Sequence, residues 1–156
     1  MLKENDKAPN FSLKDSEGNE VSLKDYKGQW VVVYFYPKAD TPGCTTEAID
    51  FTTFLDDFAA QDATILGIST DSEAKLEKFC NKHNLKITLL SDPEHEIIEK
   101  YGAWVMKKMY GKEYMGTQRS TFLINPDGKI EKIWGKVKVK GHAEEVKNLL
   151  VELKLN

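Results

Sequence analysis

Apolar residues fall into short blocks along the chain, and the spacing inside each block differs. Phe11 and Leu13, then the turn-forming DSEGN, then Val21 and Leu23 predict a β-hairpin over residues 9–23. Trp30 to Tyr36 is an unbroken run of β-branched and aromatic residues, the pattern of a central strand buried on both faces. Pro37 ends it. Phe51, Phe54, Leu55 and Phe58 recur at helical spacing and predict a helix from about Pro42 to Ala59. Residues 63–69 predict a second buried strand. Ser72 then opens a helix in which Leu76, Phe79 and Cys80 share a face.

Further along, Thr88–Leu90 predicts a short strand, Glu94–Tyr101 a helix and Arg119–Asn125 another strand. The turn Asn-Pro-Asp-Gly at 125–128 returns the chain into Ile130–Trp134. A last helix over His142–Leu153 carries Val146, Leu149, Leu150 and Leu153 on one stripe. Residues 103–118, with three Met, two Tyr and one Trp, show no period and read as a long hydrophobic loop, a lid on whatever site lies nearby. Strands alternate with helices, which predicts a three-layer α/β domain with a mixed sheet.

No repeat, low-complexity tract or linker interrupts the pattern, so residues 1–156 read as one domain. The balance of 22 basic and 25 acidic residues, net −3, leaves no electrostatic footprint for nucleic acid. No apolar run approaches the ~20 residues of a membrane span, and the N-terminus lacks a hydrophobic signal region. Two cysteines without an export signal fit the reducing cytoplasm. His83, His95 and His142 are scattered and read as surface residues. No pair has metal-ligand spacing, so neither metal nor cofactor is expected.

Cys44 is the residue with chemistry. It falls in the first turn of the helix that follows the buried strand, with Thr41 suited to the N-cap and Pro42 to the first helical position. Free backbone N–H groups and the helix dipole favour a thiolate there, and cysteines so placed have pKa values of roughly 3.5–7.5. The Thr41 hydroxyl and the N–H groups of Gly43 and Cys44 can hydrogen-bond a reacting oxygen, and Gly43 permits close approach. Pro37 and Pro42 can exclude water. Thr41 has a plainer reading as a cap alone.

The segment Pro37…Thr41-Pro-Gly-Cys44 resembles the peroxiredoxin signature. The wider pattern is similar to the peroxiredoxin Q subfamily, also called bacterioferritin comigratory protein: DKAPNFSL, VVVYFYPKADTPGCTTEA, GISTDS, KKMYGKEYMG and RSTFLINPDGKI, in order over nearly the whole chain. The resemblance implies a thioredoxin-like fold with a central mixed sheet, flanking helices and an N-terminal hairpin. It implies a thiol peroxidase that reduces hydrogen peroxide and organic hydroperoxides, with Cys44 becoming a sulfenic acid. Thr41 and Arg119 would assist, with Pro37 shaping the pocket. Glu47 would orient neighbours or stand as an exposed helix carboxylate. A monomer is implied, with a dimer as the alternative.

Thiolate formation alone does not make such an enzyme. Lowering a thiol pKa from about 8.5 to about 6 raises the thiolate fraction near neutrality about thirtyfold. Nucleophilicity falls about tenfold over the same interval. Stabilising the leaving oxygen must supply the rest.

One departure matters. Many members carry a second cysteine five residues after the first, where this chain has Ile49. The remaining thiol is Cys80, and some members place their resolving cysteine in that helix. The resemblance thus implies a Cys44–Cys80 disulfide recycled by thioredoxin. Packing of Cys80 as a small hydrophobe is the alternative. It would leave a one-cysteine peroxidase resolved by an external thiol. A peroxide-sensing switch, or a binding protein that uses the 103–118 loop, are the rival functions.

Overall fold

The computed structural model describes residues 1–155. A seven-stranded mixed sheet forms the centre, in the order β2-β1-β5-β4-β3-β8-β9. The first hairpin is β1 (Ser12–Asp15) and β2 (Glu20–Ser22). Its turn is held by Asp15 Oδ1, which accepts from the N–H groups of Glu17 and Asn19 at 2.9 Å each. The middle strands are β3 (Trp30–Phe35), β4 (Ala63–Ser69) and β5 (Thr88–Ser91). They pair in parallel, as strands joined by helical crossovers must. β8 (Ser120–Ile124) lies antiparallel against β3, and β9 (Ile130–Trp134) follows it.

The continuous apolar run in β3 serves two cores at once. Val32, Tyr34 and Tyr36 face one layer, while Val31, Val33 and Phe35 face the other. The first layer is covered by α1 (Pro42–Thr53), α2 (Leu55–Ala60), α3 (Glu73–His83) and α5 (His142–Leu155). The second is covered by α4 (Glu96–Lys100) and the N-terminal segment. Among the described residues no helix is long and apolar enough to cross a membrane.

Four readings of the sequence change. The predicted helix 42–59 is two helices that break at Phe54. Thr53 Oγ1 donates back to the Ile49 carbonyl at 2.9 Å, a bond that bends a helix, and Phe54 turns the chain at φ −96°, ψ 8°. The helix predicted from Glu94 begins at Glu96, because His95 takes a left-handed conformation. There Asp92 Oδ2 accepts from the N–H groups of Ile97 and Ile98. Residues 103–118 are not a loop but a separate hairpin, β6 (Trp104–Met109) and β7 (Lys112–Thr117). Its two turn residues, Tyr110 (φ 51°) and Gly111 (φ 79°), both have positive φ, the geometry that matches the twist of hairpin strands.

One of the histidines, fourth, is not a surface residue. His142 is buried, 2.8 Å from Thr121 Oγ1 and edge-on to Phe51 and Trp134. His95 is half-buried and stacks flat on Trp104 at 4.0 Å, and His83 is half-buried with its edge on Phe79.

Candidate active site

Pairing of β3 with β8 places the end of one strand beside the start of the other, and this builds the site. Cys44 enters from the β3–α1 side. It lies in the first turn of α1, 2 % exposed, with Pro42 at the first helical position. Arg119 enters from the residue before β8, where its carbonyl accepts from Val137 N–H.

Arg119 Nη2 donates to Cys44 Sγ at 3.3 Å, and Nη1 donates to Glu47 Oε1 at 2.7 Å. Glu47 stands three residues after Cys44, on the same face of α1. It is a buried carboxylate, not the exposed one that was the alternative reading. Burial pushes its carboxyl up to about 7, against the pull of Arg119. Burial works against the charge of Arg119 as well, but Glu47 and Cys44 together hold it above its ordinary value. The guanidinium is therefore a fixed cation, and one carboxylate sets its plane.

Gly43 has a different use from the one its position suggested. A Cβ there would lie 3.2 Å from Arg119 Nη2, so the missing side chain makes room for the guanidinium over the helix start. Thr41 occupies the N-cap with extended backbone (φ −95°, ψ 156°), yet its side chain makes no capping bond. Its hydroxyl donates to the Lys38 carbonyl at 2.7 Å, which leaves the oxygen lone pairs free to accept. Pro37 is half-buried.

Lys107 was not singled out by sequence. It is the half-buried residue that the β6–β7 hairpin directs toward Arg119 and Cys44. Burial lowers its ammonium pKa, Arg119 lowers it further, and Cys44 works in the opposite sense. Most of the large apolar residues of that hairpin point to solvent instead of closing a lid: Met106, Met109, Tyr110, Tyr114 and Met115 are all exposed, while Trp104 packs against the second core. The odd spacing of Lys107 among methionines offered no signal before the hairpin was known.

Cys80 is not gathered into this group. Both thiols are free, and Cys80 is half-buried. It lines a cleft with Asp15, Ser16, Glu17 and Glu77. Burial pushes its thiol above the ordinary value, a hydrogen bond with Ser16 opposes this, and Asp15 and Glu17 push it up again.

A buried sulfur at a helix start, met by an immobilised guanidinium, is built for nucleophilic thiol chemistry. Known proteins agree. A sequence profile of the AhpC/TSA family matches residues 5–133. Peroxiredoxin Bcp of Bacillus subtilis is 52% identical over 147 residues, 94% of both chains. Peroxiredoxin Bcp of Escherichia coli K12 is 46% identical over 151 residues, 97% of both chains. The solved structure of a Xylella fastidiosa PrxQ mutant superposes with a TM-score of 0.94 at 38% identity, covering 99% of this chain and 98% of that one. Xanthomonas campestris peroxiredoxin Q gives 0.87 at 42% identity, covering 91% and 90%. That protein is also solved with serine at each of two cysteines, separated by as many positions as Cys44 and Cys80 are here. Another of its structures concerns alkyl peroxide reduction.

The chain belongs to the AhpC/TSA family, on its peroxiredoxin Q (Bcp) branch, with the thioredoxin-like fold of those structures. Thiol-dependent peroxide reduction is the general activity of that family, and the chain is a peroxidase.

Proposed function

We propose that Cys44 reduces hydrogen peroxide and alkyl hydroperoxides, that Cys80 resolves the product, and that thioredoxin restores the dithiol. The observation that carries this is the Arg119 guanidinium, 3.3 Å from the Cys44 sulfur and fixed at 2.7 Å by Glu47. Negative charge on sulfur is favoured by that donor and by the helix start.

The anionic sulfur attacks the terminal oxygen of ROOH. The S–O bond forms as the O–O bond breaks, and RO⁻ leaves and takes a proton to give ROH. Arg119 and the N–H groups of Gly43 and Cys44 receive the charge that develops on oxygen. The Thr41 oxygen accepts from the peroxide hydroxyl while its own O–H donates to the Lys38 carbonyl. Pro37 walls the pocket. Cys80 then attacks the sulfenic sulfur, forming a disulfide and releasing water. The alkyl peroxide activity of the Xanthomonas protein and its two cysteines at the same separation support both steps. The resemblance to peroxiredoxin Q supports a monomer as the working form, and two free thiols fit the cytoplasm.

The cleft that holds Cys80 away from Arg119 favours a second reading, a one-cysteine peroxidase resolved by an external thiol. Mass spectrometry after one equivalent of peroxide separates the two. Cys44→Ser is expected to abolish peroxide consumption. Cys80→Ser is expected to keep the first turnover and lose thioredoxin-coupled turnover. Undiminished coupled turnover in Cys80→Ser assigns resolution to the external thiol.

A further inference from the structure

Cys44 and Cys80 sit in two segments that meet at one polar contact. The loop 37–41 leads into α1 and Cys44, and the last turn of α3 follows Cys80. From that turn Lys82 Nζ donates to Asp40 Oδ2 at 2.9 Å, and His83 Nε2 lies 2.8 Å from Asp40 Oδ1. One carboxylate thus spends both oxygens on the end of α3. It does so from a left-handed backbone, φ 61°, which residues other than glycine adopt rarely and which the surrounding contacts must sustain. His83 and Lys82 together hold the Asp40 carboxyl below its ordinary range. The rest of α3 is seated by buried Leu76 and Phe79, with Ser72 capping its far end.

In that seat the two thiols are unbonded and have different partners. Cys80 faces the cleft with Ser16 while Cys44 lies under Arg119. A disulfide needs Cα atoms roughly 4.4–6.8 Å apart with Cβ vectors converging. Sulfurs held in two separate helices seldom meet that geometry, and release of the end of α3 brings them within reach of it. Burial and nearby carboxylates also push the thiol of the seated Cys80 up, and leaving the cleft removes both.

We propose that Asp40, Lys82 and His83 form a latch that holds the end of α3 against the loop before Cys44 and so sets the rate at which Cys80 is released to resolve the oxidised enzyme. This rests on the reading of Cys80 as the resolving thiol. Once released, Cys80 gives its proton to water and its sulfur attacks the sulfenic sulfur of Cys44. The S–S bond forms, the S–O bond breaks, and hydroxide leaves and takes a proton. A slower release lengthens the life of the sulfenic acid. A second peroxide then converts it to sulfinic acid, with one more molecule of ROH formed. The latch acts on opening alone, since Asp40 contacts neither Cys44 nor Arg119. Exposed pairs are individually weak, so the expected effect is about threefold to tenfold in rate.

Asp40→Asn keeps a residue that tolerates the left-handed backbone and removes the charge. Lys82→Gln/His83→Gln removes the partners without touching the loop. In stopped-flow fluorescence with one equivalent of hydrogen peroxide, both variants are expected to keep the first phase unchanged. The second phase, disulfide formation, is expected to speed up about threefold to tenfold. Combining them is expected to add nothing further, as one contact can be lost only once. In excess peroxide, intact mass is expected to show less sulfinic acid than in the unaltered protein. A second phase that forms the disulfide at the unaltered rate in both variants overturns the latch and leaves the resolving role standing. Absence of any Cys44–Cys80 disulfide in the unaltered protein overturns both.

Discussion

Glu47 is 1 % exposed and has one oxygen on Arg119, while its other oxygen, also buried, has no partner. Its carboxyl titrates near 7 in the folded chain against an ordinary value of 4.5. Between those values the folded protein holds a proton that the unfolded chain has released, so stability falls as pH rises through the window. The contribution is fully present below the lower value and gone above the upper one. Glu47→Gln, a neutral isostere, removes this dependence. The difference in unfolding free energy between Glu47→Gln and the unaltered protein is expected to shift by up to about 3 kcal/mol across the window, in favour of the amide at high pH. Denaturant titrations at several pH values measure it, and a difference that stays flat with pH refutes the assignment. The sequence showed a glutamate three residues after Cys44 but not its burial, because helix periodicity names a face and not what covers it.

Among the elements, the β6–β7 hairpin was the one the chain concealed. Its strands exchange bonds only with each other, and apart from Trp104 its large apolar residues face solvent, so no alternation of inside and outside marks it. Its turn is Tyr-Gly rather than the Asn-Gly or Asp-Gly that signals a tight hairpin. Gly111 is the second of two residues with positive φ, and a residue with a Cβ there costs about 1–2 kcal/mol. A hairpin with no further strand to pair with is marginal by itself. Gly111→Ala is therefore expected to raise amide hydrogen exchange across 104–117 and to leave the exchange of β3 and β4 unaltered. Uniform loss of protection in the central strands would show that the hairpin is not a separate unit. By contrast, β3, β4 and the start of α1 were legible within one or two residues, because burial on both faces and a Thr-Pro helix start are local signals.

At the scale of the whole molecule, the central strands leave no slack where they cross. A Cβ on Gly67 would come within 2.7 Å of Tyr34 Cζ and 2.8 Å of Leu89 Cδ2. Tyr34 in turn stacks on Phe51 of α1 at 4.7 Å, so the packing reaches the helix that carries Cys44. Gly67→Ala is expected to cost about 1–3 kcal/mol by overpacking, read as a lower denaturant midpoint with an unchanged slope. An unchanged midpoint would mean that Tyr34 moves freely, against its complete burial. The chain by itself determined where the reactive thiol stands, because strand, N-cap and first-turn preferences act over a few residues. Only the tertiary structure decided what that thiol meets. Arg119 lies 75 residues from Cys44 and 72 from Glu47, and the pairing of β3 with β8 brings all three together. The value of such a charge depends on burial and distance, which no local pattern encodes.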